Sequence, residues 1–196
     1  LGPHLLTASV LDNSVSAFAI DPLTGTLSQS ATLMDDGTNY LSGARDILVI
    51  DDDIYVASQV ADAVVRISAS DNGGLQLQFE QVQHFSTGIF GLNQSADLAA
   101  SVDGAHIYVA GANDAALVVF SRDLNTGSLS FVETLQQGVN GADGLAGING
   151  VATAADGHSV YTLGLNQSAI GVYQRNASTG QLSFQIRVDA SLTGVD

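Results

Sequence analysis

The chain has no cysteine, which excludes disulfides, thiolate catalysis and cysteine-ligated zinc together. Lysine is also missing: the basic residues are Arg45, Arg66, Arg122, Arg175 and Arg187, against 20 acidic ones, for a net charge of −15. Nucleic-acid binding needs cationic groups that neutralise phosphates and release counterions, so that class is excluded. Anionic membrane surfaces are disfavoured for the same reason. Glutamate is nearly absent, because 18 of the acids are Asp and only Glu80 and Glu133 are Glu. Asp favours turns and makes a compact oxygen ligand, whereas a helical surface favours Glu. No apolar run approaches the roughly 18 residues that a membrane-spanning helix needs. The first residue is Leu1 and no basic-then-apolar leader follows, so either a signal peptide has been removed or this is an excised piece. High acidity without cysteine fits an extracellular bacterial or saline setting. What remains is a turn-rich, highly soluble all-β protein, with calcium coordination in Asp-rich loops as the sharper reading.

What the chain has in quantity is repetition. Ile54-Tyr55-Val56-Ala57 returns as Ile107-Tyr108-Val109-Ala110 and again as Val160-Tyr161-Thr162-Leu163, each time 53 residues on. Gly74, Gly127 and Gly180 keep the same interval, and an earlier copy begins at Leu5-Leu6-Thr7-Ala8, 49 residues before the second. Self-similarity at a fixed period of this length marks a repeat architecture. With hydrophobic residues at 45% there is ample apolar surface for a core.

One unit shows what each repeat folds into. Asp97 to Val102 is a run of mainly small residues ending at Asp103-Gly104, a strong hairpin turn. His106 to Gly111 and Ala116 to Ser121 are rich in β-branched and aromatic residues, separated by Asn113-Asp114. A second turn, Asp123 to Gly127, leads into Ser128 to Thr134. These are four antiparallel strands, a to d, followed by a long Gly-rich loop, which is the plan of a propeller blade. The repeats run approximately over 1–46, 47–96, 97–149 and 150–196. The first unit lacks its strand a, and residues after about Val188 read as the start of another inter-blade loop. The expected fold is therefore an all-β propeller of four-stranded blades, about four of them, forming part of a larger ring. Self-association of two such halves, or completion by a longer chain, would close it.

The pattern Asp103-Gly104-x-His106-Ile107-Tyr108-Val109-Ala110, then Val119-Phe120-Ser121-Arg122-Asp123, then Thr126-Gly127-Ser128-Leu129-Ser130-Phe131, resembles the lactonase-type β-propeller repeat. The fourth unit matches through Asp156 to Tyr161, Val172 to Arg175 and Ser178 to Phe184. The resemblance implies hydrolysis of anionic sugar-acid lactones in a cationic pocket at the axial mouth. Similar repeats also resemble those of large non-enzymatic bacterial surface proteins. The matched residues all belong to turns and strand cores, so none carries over a catalytic role.

The mouth of a propeller is formed by its d-to-a and b-to-c loops. The ligand-face candidates there are Tyr40, Arg45, Asp46, Asp97 and Asn149, with Asn39, Phe90 and Asn93 beside them. Candidate calcium ligands are Asp35 and Asp36 in one Asp-rich loop, and Asn140 and Asp143 in another; neither loop matches a known calcium motif. His106 and His158 share one repeat position and read as fold punctuation. No histidine pair has metal-ligand spacing, and no Gly-x-Ser-x-Gly elbow supports a nucleophile. Without convergent catalytic groups, the residues favour a non-catalytic scaffold or interaction segment of a secreted or cell-surface bacterial protein. A protein or carbohydrate partner would meet its loop face. The alternative is a lactonase-like hydrolase acting on a sugar-acid lactone at the axial mouth.

Overall fold

The computed structural model describes residues 2–71 and 74–189, which form four antiparallel sheets taken in chain order. The first has three strands, β1 (His4–Ser9), β2 (Ser14–Ile20) and β3 (Leu27–Met34). The second comprises β4 (Ala44–Ile50), β5 (Asp53–Ser58), β6 (Ala63–Asp71) and β7 (Leu75–His84). The third comprises β8 (Ser95–Ala100), β9 (His106–Gly111), β10 (Ala116–Arg122) and β11 (Leu129–Gln136). The fourth comprises β12 (Ile148–Thr153), β13 (Ser159–Gly164), β14 (Ala169–Arg175) and β15 (Leu182–Asp189). Each sheet is a meander, so its strands lie side by side in sequence order. The loop expected beyond Val188 falls largely on residues 190–196, outside the described residues.

The core consists of three clusters, one at each junction between consecutive sheets. Val15, Leu41, Ile54 and Val65 fill the first; Tyr55, Leu92, Ile107 and Phe120 the second; Tyr108, Leu145, Val160 and Tyr173 the third. Burial along the second strand of each blade follows from this stacking. β9 is buried at every position because its sheet is covered on both faces. β13 instead alternates, with Val160 and Thr162 buried and Tyr161 and Leu163 exposed, as expected for a sheet covered on one face.

Turn chemistry repeats with the blades. In three of the c-to-d turns, the side chains of Asp21, Asp123 and Asn176 each accept two backbone N–H bonds from residues two and three further on. Between the last two strands of each sheet a β-bulge recurs at Ala17/Phe18, Arg66/Ile67, Val119/Phe120 and Val172/Tyr173. A bulge at one fixed position bends and twists every sheet alike.

Innermost strands begin two to three residues earlier than the small-residue runs suggest. The cause is another bulge: register shifts between Ala44 and Asp46, Ser95 and Asp97, and Ile148 and Gly150. The extra residues are Arg45, Ala96 and Asn149. They stand on the strands nearest the axis.

Candidate functional site

The d-to-a loops and b-to-c turns share one end of the sheets, and their polar side chains are tied into the backbone there. Each b-to-c turn carries one residue of left-handed conformation, Asn13, Asp62, Ala115 and Ser168, with φ between 48° and 52°. Asn13 accepts the Gly43 N–H at 2.7 Å and Asp62 that of Gln94 at 2.8 Å. Asp114 accepts the N–H groups of Gly91 and Asn93. These side chains hold the long loops over the ends of the strands, leaving a hollow lined by Phe90, Leu92 and Asn93 between Asp62 and Asp114.

Two of the inner bulge residues meet across the mouth. Arg45 donates from Nη2 to Asn149 Oδ1 and from Nη1 to Gln59 Oε1, both at 3.1 Å. Asn149 lies 104 residues further along the chain, on the fourth sheet, while Arg45 is on the second. The guanidinium is exposed and thus open to a solute entering along the axis.

Asp46 and Asp97, the residues after two of the bulges, staple neighbouring inner strands. Asp46 Oδ2 accepts the Leu98 N–H at 2.9 Å, and Asp97 Oδ2 that of Val151 at 2.7 Å. In the fourth sheet the same position is Gly150, so the series stops there. Burial raises the Asp97 carboxyl above its usual range; the Val151 N–H opposes this, while the adjoining Asp46 carboxylate adds to it. An acid with a raised folded pKa binds more protons folded than unfolded, so its contribution to stability falls as pH rises above the ordinary carboxylate range. Asp97→Asn keeps an acceptor for Val151 and removes that charge. It is expected to raise the melting temperature at pH 7 and leave it unchanged at pH 3; equal shifts at both would contradict this origin.

The other sequence candidates are engaged in local contacts. Tyr40 stacks on His84 with ring centroids 4.4 Å apart. Asn39 is buried and donates to the Met34 carbonyl. Asp35 accepts the Gly37 N–H, and Asp36 accepts both the backbone and the hydroxyl of Thr38 and the Asn39 N–H, so both close local turns. Asn140 is an exposed left-handed turn residue. Asp143 is the hub of its loop: Oδ1 accepts from Gln137, Gln167 and the Gly144 N–H, and Oδ2 pairs with Arg187 at 2.9 Å. The Gln137 bond, followed by those of Gln167 and Gly144 and the Arg187 charge, outweighs burial and holds its pKa at about 2. Among the described residues no group of three or more Asp, Glu, His or Cys side chains is arranged to hold a metal ion. Gln59 is a mouth residue that sequence reasoning misses. It lies in a short b-to-c turn, whereas the candidates come from the long loops.

Comparison with known proteins bears on what such a mouth does. Over 96% of its length the chain superposes on a periplasmic gluconolactonase of Pseudomonas aeruginosa, with a TM-score of 0.80, 21% identity and 51% of that chain covered. A candidate 6-phosphogluconolactonase of Bacteroides uniformis gives 0.78, 19% identity, and coverage of 96% of this chain and 52% of that one. A protein from Lactobacillus plantarum gives 0.78, 18% identity, and coverage of 95% and 54%. At these identities the likeness establishes the fold, and the chain spans about half the length of each. No curated protein matches the sequence. The family model described as "Lactonase, 7-bladed beta-propeller" matches residues 2–140 and again residues 41–191. That match overturns the reading of the chain as a non-catalytic scaffold, and with it the leaning against an enzyme. The error lay in taking a lack of familiar catalytic motifs within the repeats for a lack of chemistry. The four sheets are blades of a larger ring, and the chain belongs to the seven-bladed β-propeller lactonase family.

Proposed function

We propose that the axial mouth takes the lactone of a sugar acid and that the protein hydrolyses it, with the remaining blades completing the pocket. The observation that carries this reading is the Arg45 guanidinium, held at the mouth by Asn149 and Gln59. A cation with two flanking amides suits an oxygen-rich, anionic substrate, because charge-assisted bonds to carboxylate or phosphate are strong and directional. In the reaction water adds to the lactone carbonyl, the ring C–O bond breaks and a hydroxy acid leaves. Arg45 would orient the substrate and stabilise negative charge as it develops on oxygen. Asp46 and Asp97, next to this rim, are the carboxylates available to take the proton from water. An exported location fits the acidic, cysteine-free composition, and the periplasmic relative supports it.

Calorimetric titration of the full-length protein with D-gluconate, the kind of product such a reaction releases, tests the site. Saturable binding that Arg45→Met abolishes is the expected result. Equal binding by both proteins would remove Arg45 from the site.

A further inference from the structure

The second and third sheets are fastened by a buried clasp at the end of the rings opposite the mouth. Arg122, at the end of β10, donates from Nε to the Tyr55 hydroxyl at 2.8 Å and from Nη2 to Asp53 at 2.8 Å and Asp51 at 3.3 Å. The Tyr55 hydroxyl in turn donates to the Gly127 carbonyl at 2.6 Å. One repeat later Arg175, at the end of β14, donates from Nη2 to both oxygens of Asp103 and meets His106 Nδ1 at 2.8 Å. Tyr108 again lies beside it, its hydroxyl and Arg175 Nε both buried but out of bonding geometry. Each clasp therefore takes an arginine from the third strand of one blade. It delivers that arginine to an aspartate on the blade before, with a tyrosine beside it that is hydrogen-bonded in the first clasp.

The acceptor pair of the second clasp recurs on the fourth sheet, whereas Asp53 of the first stands at the repeat position of His106. Asp156 and Tyr161 stand 53 residues beyond Asp103 and Tyr108. Tyr108 is fully buried, whereas Tyr161 is 38% exposed. Around Tyr161 lie Leu163, Ile170 and Ile186, all exposed, on the sheet face whose counterparts in the second and third sheets form the inter-blade core. An apolar face continuous in register with two existing interfaces is built to be covered. The donor half is not universal. In the first sheet Ile20, paired with Leu27 as Arg122 is with Leu129 and Arg175 with Leu182, holds the arginine position.

We infer that the exposed face of the fourth sheet receives a propeller blade whose third strand ends in arginine, and that this arginine closes on Asp156 and Tyr161. A second copy of this chain is the wrong occupant, because the first sheet it would offer brings Ile20 instead. This goes beyond the proposed activity and does not depend on it. The clasp is a pairing code between blades: it selects which sheets follow each other round the ring.

Moving the missing half onto the first sheet tests the inference. Wild-type chain is expected to sediment as a monomer, because its free ends are mismatched. Ile20→Arg should associate head to tail, about tenfold or more tighter, as for a new hydrogen bond to a charged group. Adding Asp156→Asn, which keeps the Asx turn to the His158 N–H, should reverse that gain. Wild type associating as tightly as Ile20→Arg, or association indifferent to Asp156→Asn, would overturn the code. Should Ile20→Arg not fold by circular dichroism, Asp156→Asn alone decides. It should lower the melting temperature of the full-length protein and leave that of the 196-residue chain unchanged, and an unchanged full-length protein would overturn the inference.

Discussion

Arg122→Ala is expected to cost about 3 kcal/mol of stability, the lower end of what breaking a buried ion pair costs. The side chain is 3% exposed and its main partner Asp53 13%. Truncation leaves that carboxylate and the Tyr55 hydroxyl in a low-dielectric junction without their donor. Asp53 keeps its 2.8 Å bond from Arg66, which is why the lower end applies. The geometry admits no easy relaxation, because Gly127 sits over the pair with φ of 70° and a Cβ there would lie 1.9 Å from the Asp53 carboxylate. The turn that presents Gly127 is thus fixed both by its left-handed conformation and by the closeness of Asp53. At about 2–4 °C per kcal/mol for a chain of this size, the melting temperature should fall by about 6–12 °C. Urea unfolding monitored by circular dichroism measures it. A loss below about 1 kcal/mol would mean that the pair behaves as a surface ion pair.

The largest effect on activity is expected at Arg45. Arg45→Met keeps the length of the side chain and removes every donor, so the substrate loses its charge-assisted contacts while the β4 bulge is retained. Bonds to charged groups contribute about 1.5–3 kcal/mol, so kcat/KM for an anionic sugar lactone should fall about 10- to 100-fold. A neutral lactone of the same ring should lose much less. Equal losses for both would assign Arg45 to holding Asn149 and Gln59 in place, not to recognising charge. The exposure of Arg45 makes a large stability change unexpected, so unfolding curves of the two proteins should overlay.

Much of the fold could be read from the chain because blades recur in sequence as they do in space. The 53-residue period, the Asp-Gly turns and the β-branched second strands each define an element locally. Arg45, Asp46, Asp97 and Asn149 were accessible for the same reason, since the loop order of a blade places them near the axis. The bulges were not. Arg45, Ala96 and Asn149 have no residue type in common, and only the pairing with the next strand shows that each is an extra residue. The stacking of Tyr40 on His84 was not legible, because it is a contact between residues 44 positions apart that no local pattern signals. The clasp was half visible. Arg122 and Arg175 share a repeat position, but their partners lie up to 72 residues earlier, in the preceding blade.

Function is less legible in this sequence than fold. Repeats report what every blade must have, namely turns and packing, whereas a site needs what only one blade has. Arg45 is unique among the described blades, its counterparts being Ala96 and Asn149, and its bond to Asn149 emerges only when the inner strands are brought together.

Acid release from a sugar-acid lactone by the full-length protein, followed at constant pH beside an open-chain ester of the same acid, is the measurement to make. Saturable acceleration of lactone opening, with the ester left near its background rate, is the result expected of a lactonase built round this mouth. A lactone rate indistinguishable from the protein-free control would contradict it.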